Sequence, residues 1–294
     1  MLNDKATGAA AVPLLLLIVL TLIVLAAIFL PPVWRQYRRN KIQQQPFPAA
    51  WRQILKHRMP YFRALPADLQ LQLKKLIQVF VAEKQFVGCA GLTVTDEMRV
   101  TIAAQACLLL LNKPAHYYPK LKQILIYPAA FVVPTQQADN AGVVSEMTQV
   151  RLGESWQTGQ IILSWVDTLK SAAICNDGHN LVIHEFAHQL DQLKGQATGA
   201  PQLSSAQAYK EWSLVLSREY EQLQKQLALG LPTLFDAYAA TNPAEFFAVI
   251  SEVFFEQPDL FAAQHAALYQ QLRSFYALDP LSWVQTHPVN APRP

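Results

Sequence analysis

The chain is 294 residues long, 52% hydrophobic and only 15% charged, with a net charge of +3. That length holds one large domain or two ordinary ones with a real core, and the low charge with unremarkable Gly and Pro content excludes a disordered, collagen-like or coiled-coil chain. The charge is uneven: residues 1–67 carry nine Lys/Arg against one acid, Asp4, so the remainder carries −5.

Ala9 to Leu30 contain no charge, and only Pro13 and Thr21 interrupt the apolar residues. As a helix this run rises ~33 Å, enough for a bilayer core of ~30 Å. Pro31-Pro32 is expected to end it, and Trp34 and Tyr37 follow where an interfacial aromatic belt would lie. A cleaved signal peptide puts its positive charge before the apolar run and a small-residue site after it; here Arg35, Arg38, Arg39 and Lys41 come after. The expectation is a single uncleaved span over residues 9–31, entered by a tail of residues 1–8. The positive-inside rule then places the span in the inner (cytoplasmic) membrane with everything after it in the cytoplasm. The basic residues of a juxtamembrane linker, 32–66, would lie against anionic lipid. That accounts for the positive charge, so direct nucleic-acid binding is not expected. Three cysteines, Cys89, Cys107 and Cys175, lack paired spacing and fit reduced, structural thiols.

In chain order, helical periodicity covers about Ala67–Glu83 (Leu69, Leu73, Leu76, Ile77, Phe80) and Asp96–Leu111, the latter with Thr95 as N-cap. Strand-like pieces follow at Gln123–Tyr127, roughly Val143–Leu152, and Gln160–Trp165. Helices are expected over 179–193, with Gly195 at its C′ position, and over 204–228, 243–256 and 260–276. The body, 67–280, reads as one α+β domain with a small sheet in the middle, followed by a tail, 281–294.

His184-Glu185-Phe186-Ala187-His188 is an HExxH motif. Leu181, Val182, Ile183, Phe186, Leu190 and Leu193 make its segment a largely buried helix, and His184 and His188 share one face, one turn apart. Two neutral imidazoles so placed can hold one Zn²⁺, and Glu185, offset by about 100°, can act as general base without being a ligand. The competing reading, a core helix with two hydrogen-bonded histidines, buries three polar side chains without compensation. A catalytic zinc needs a third protein ligand. Position 194 is Lys194, which excludes a histidine six residues after the second. The remaining candidates are Glu211, Glu219, Glu221, Glu245, Glu252 and Glu256. The first three fall on a polar helix that reads as solvated. Glu245 and Glu252 share a face of an apolar helix capped by Asn242-Pro243. Either could be the ligand, with the other supporting a ligand histidine.

The segments NLVIHEFAHQLD and YAATNPAEFFAVISEVFF, and also GESWQTGQIILSW, resemble the Mlc titration factor A family of zinc peptidases. The first two also resemble the catalytic centre of anthrax lethal factor. The resemblance covers roughly residues 65–280 and implies a zincin-like metallopeptidase fold. It implies one zinc per chain on His184, His188 and Glu245, with Glu185 as general base and Tyr238 directing its hydroxyl at the oxyanion. Asp191 and Glu252 would support the ligands. It further implies a peptide or protein substrate and a partnership with a transcriptional regulator. The membrane span departs from the soluble family pattern. Peptidases of this general kind add the substrate as a strand along a sheet edge; QIILSW or its neighbour is the candidate edge, with the Gly153–Trp156 loop bordering the cleft.

Overall fold

The computed structural model describes residues 4–114, 116–129, 133–138, 144–149, 159–174 and 176–286. Two units separate by contact, residues 1–46 and 47–294.

The apolar run folds as one helix, α1 (Asp4–Gln43). It does not stop at Pro31-Pro32 as expected but continues for three further turns, so the arginines wind around a helical shaft instead of lying in a loop. Each proline removes one rung of the hydrogen-bond ladder, and the turns on either side carry the helix through. Leu15–Gln43 is long and apolar enough to cross a membrane, and none of it is buried within the chain.

The second unit begins with α2 (Ala49–Arg58) and α3 (Pro60–Ala64). A linker with short helical pieces is expected here, and the two short helices are present; Leu55, Met59, Phe62 and Leu65 are in addition buried. Then come α4 (Ala67–Glu83), β1 (Gln85–Gly88) and α5 (Asp96–Leu108), whose Thr95 side chain accepts from the Met98 amide as expected. β2 (Gln123–Tyr127), β3 (Val133–Ala138), β4 (Val144–Gln149) and β5 (Gln160–Ser164) follow. β1, β2 and β5 form a parallel sheet in the order β1-β2-β5, while β3 and β4 pair antiparallel. The sheet buries one face through Ile124, Ile126, Ile161 and Leu163. Its entry edge is tied by Gln160 donating to Gln123 and Gln123 donating to Gln85, at 2.7 and 2.9 Å. β1 is four residues long, too short to show a period of two in the sequence.

Trp165 is not the end of a strand. It opens α6 (Trp165–Ala173), capped by the Ser164 hydroxyl on the Asp167 amide. Next come α7 (Leu181–Asp191), a 3₁₀ turn at Gln192–Lys194, and α8 (Ala206–Ala228). Gly195 closes the 3₁₀ turn in extended backbone, not the left-handed C′ conformation anticipated for it. A 3₁₀ turn at Ala237–Ala240 leads into α9 (Pro243–Glu256), and the Asn242 side chain caps α9 through the amides of Ala244 and Glu245. Where one helix was expected over 260–276, there are two, α10 (Pro258–Gln264) and α11 (Ala266–Tyr276), and then α12 (Leu281–Thr286). The break falls at His265, whose Nδ1 lies 2.8 Å from Glu219 and whose ring packs 4.6 Å from Phe235. Glu219 is therefore buried, not solvated as the polarity of α8 suggested.

Among the described residues the core has two aromatic clusters. Phe186 of α7 meets Tyr118 and Phe80 at 4.7 and 5.7 Å, and Phe254 of α9 meets Tyr276 and Tyr269 at 5.5 and 5.1 Å. Both flank the α7–α9 pair and leave those helices little freedom to shift. Cys107 is buried and Cys89 half-buried; neither forms a disulfide. Cys175 and the Gly153–Trp156 loop lie outside the described residues.

Candidate metal centre

Two apolar helices, α7 and α9, carry the polar residues of the centre. Asn180 begins α7 by accepting from the Ile183 amide at 3.0 Å, and Asn242 begins α9 in the same way. With both helix starts fixed, His184 and His188 emerge from α7 toward the first turn of α9, which carries Glu245.

The Nε2 atoms of His184 and His188 lie 3.2 Å apart, and Glu245 Oε2 lies 3.0 and 3.2 Å from them. Four-coordinate geometry with ~2.0–2.1 Å bonds places ligand atoms ~3.3–3.4 Å apart, so the triangle matches a small ion with little adjustment. Two imidazole nitrogens turned toward each other at hydrogen-bond distance can share a single proton between them; a cation satisfies both. Among the described residues these three form the one group of His, Cys, Asp and Glu close enough to hold a metal.

The surrounding charges are asymmetric. Burial alone would lower the His184 pKa, but the carboxylates of Glu252 and Glu245 outweigh it and hold it well above the usual imidazole range. His188 is fully buried and is lowered, by burial first and by the neighbouring His184 charge. Burial would raise Glu245, but hydrogen bonds to both imidazoles bring it down to about 2. Two histidines backed by an ionised carboxylate form an anionic donor set, suited to a divalent cation.

Glu252 takes a different position from Glu245. Its Oε1 lies 2.7 Å from His184 Nδ1, and its Oε2 accepts from the Asn180 amide at 2.5 Å. One carboxylate thus fixes both the ring of His184 and the start of the helix that carries it. Glu256, one turn on, accepts from the Asn180 side chain at 3.0 Å. Asn180 was not singled out in the sequence; its only trace there is an Asn standing before an apolar helix. Burial raises Glu256 to about 9, with the nearby Asp177 and Glu252 charges adding to the effect, so it is a neutral acid at pH 7. A raised carboxyl pKa means the folded chain holds a proton the unfolded chain has released above ~4.5, so stability falls as pH rises from there to about 9. Glu256→Gln keeps the acceptor for Asn180 and cannot ionise. Its melting temperature is expected to exceed wild type by several degrees at pH 8 and to match it near pH 4.5, measured by calorimetry.

Asp191 departs from expectation. It was expected to support a ligand histidine, but its Oδ2 accepts instead from the amides of Thr198 and Gly199, each at 2.7 Å. It braces the turn after α7, and the Trp212 indole donates to the Gly199 carbonyl at 2.9 Å. Gly199 has φ +75°, and a Cβ there would come within 2.3 Å of the Pro243 carbonyl at the start of α9. Gly199→Ala is therefore expected to cost about 3 kcal/mol or more in denaturant unfolding, since strain and backbone collision add.

Glu185 is 1% exposed beside the ligands. Tyr238, in the 3₁₀ turn before α9, is 53% exposed with its ring 6.1 Å from that of His184. Partial burial and the Glu245 and Glu185 carboxylates push its hydroxyl up to about 12, so it remains a donor. The centre thus unites His184, His188, Glu185, Tyr238, Glu245 and Glu252, and leaves Asp191 aside.

The fold and this donor set together define a metallopeptidase-type protein. The chain belongs to the glucose-regulated metallo-peptidase M90 family, which it matches over residues 34–277. It is 43% identical over 267 residues to an uncharacterised protein of Synechocystis sp., covering 90% of this chain and 97% of that one. It is 36% identical over 239 residues to Mlc titration factor A of Escherichia fergusonii, covering 80% and 89%, and 36% identical over 235 residues to that of Klebsiella pneumoniae, covering 79% and 87%. The Synechocystis match spans 267 residues, more than the body alone, and so takes in part of the N-terminal unit as well.

Proposed function

We propose that the chain is a membrane-anchored zinc metallopeptidase with its catalytic domain in the cytoplasm. The observation that carries this reading is the three-donor triangle with Glu185 and Tyr238 beside it. His184, His188 and Glu245 would hold the zinc. When bound, zinc supplies a Lewis acid that polarises the scissile carbonyl and acidifies water. Glu185 takes the proton of the attacking water and delivers it to the leaving amine. Tyr238 donates to the oxygen on which negative charge develops. Glu252 holds His184 in one orientation and Nδ1 protonated, leaving Nε2 free to bind. The edge of β5 is the proposed site for an extended peptide.

The full-length chain, purified from membranes, should contain one zinc and cleave peptides, and zinc-free or inactive protein would sink the reading. For orientation, paired C-terminal phosphatase and fluorescent-protein fusions test the anchor: phosphatase activity would place the domain outside the cytoplasm. The relatives named Mlc titration factor A favour a second reading, in which the chain holds a transcriptional regulator at the membrane. A regulator that co-purifies equally with Glu185→Gln would support binding independent of catalysis.

A further inference from the structure

A cavity of about 440 Å³ lies beside the C-terminal end of α7, away from the ligand triangle. Its size falls within the ~300–1,000 Å³ of small-molecule sites. Leu110, Leu190, Leu193, Leu203, Trp212 and Phe275 give it an apolar side, beside neutral polar groups such as Gln202 and Gln271. Lys113 and His116 also line it, and no Asp or Glu does among the described residues. Lys113 Nζ sits 3.5 Å from the centre of the Phe275 ring and 5.1 Å from that of Tyr276. Aromatic faces hold this ammonium where a carboxylate would be the ordinary partner. Burial lowers Lys113 to about 7, the mark of a cation desolvated without a counter-charge.

We propose that this cavity binds a small organic carboxylate with an apolar body, such as a medium-chain acyl acid, with its carboxylate on Lys113. Each alternative leaves a group unsatisfied. A neutral apolar guest leaves the ammonium without a counter-charge, a cationic guest meets a like charge, and an inorganic anion leaves the leucine and tryptophan wall wet. The site shares no residue with the metal centre. Leu190 and Leu193 belong to α7 and the turn after it, so the guest packs against the same helix from a different side.

The full-length chain in lipid nanodiscs is titrated calorimetrically with octanoate, octan-1-ol and octylamine, and with an acetylated pentapeptide ending in leucine, after subtraction of empty nanodiscs. Octanoate should bind saturably at one per chain. Octanol should bind about tenfold more weakly, as expected for losing one charge-assisted hydrogen bond, and octylamine and the peptide should not bind. Lys113→Met should weaken octanoate to the level of octanol without changing octanol, Lys113→Arg should retain octanoate, and Ala208→Phe should fill the cavity and abolish both. Equal affinities for octanoate and octanol in the wild type, absence of saturable octanoate binding, or peptide binding as tight as octanoate would overturn the proposal. The wild-type ligand series decides it even if Lys113→Met fails to fold.

Discussion

Glu185→Gln is expected to lower peptide hydrolysis by about 10²–10⁴-fold while leaving bound metal unchanged. Glutamine has nearly the same shape and can occupy the same buried position, 1% exposed, in α7. It cannot accept a proton, so the attacking water loses its base while the ligand triangle stays intact. Tyr238→Phe should lose less, about 10²–10³-fold in kcat, because it removes one donor to the oxyanion and leaves the base in place. The measurement is kcat and KM on a cleaved peptide, with zinc determined on the same preparations. Wild-type turnover in Glu185→Gln would remove this residue from the chemistry, and loss of zinc in that variant would give it a structural role.

Glu245→Gln and Glu252→Gln should separate a ligand from the group that orients one. Glu245 lies 3.0 and 3.2 Å from two imidazole Nε2 atoms, and Glu252 lies on the far nitrogen of one ring. Losing an orienting carboxylate typically lowers metal affinity about 10–100-fold. Glu252→Gln should fall in that range and retain zinc at saturation. Glu245→Gln removes a charged donor from the triangle and should fail to retain zinc through chelator competition. Affinity should also fall with pH in the wild type. Zinc requires neutral His184, whose proton is held well above the usual range in the metal-free chain, so binding must displace that proton and grows harder as pH drops. The same affinity for both variants would mean the two carboxylates are interchangeable.

Much of this molecule is legible along the chain because its signals are local. The apolar run, the i,i+4 histidines and the Asn242-Pro243 cap each depend on residues within a few turns. The helices of the body fall close to their expected ranges for the same reason. The misses are places where a distant partner decides. His265 divides a helix because Glu219 and Phe235 hold its ring. Leu55, Met59, Phe62 and Leu65 are buried because they find distant partners that local polarity conceals. β1 exists because β2 pairs with it.

The sequence by itself determined the apolar N-terminal helix, the HExxH helix and the two candidate carboxylates on α9. Helix spacing could not rank those carboxylates, because residues seven apart share a helical face and look equivalent from within the helix; the family resemblance alone pointed to Glu245. Only the packing of α9 across α7 set Glu245 against the Nε2 atoms and Glu252 against Nδ1 of His184. The same packing turned Asp191 away toward Thr198 and Gly199. Which side chain meets which ring depends on the crossing of two helices, and no spacing within either one encodes it.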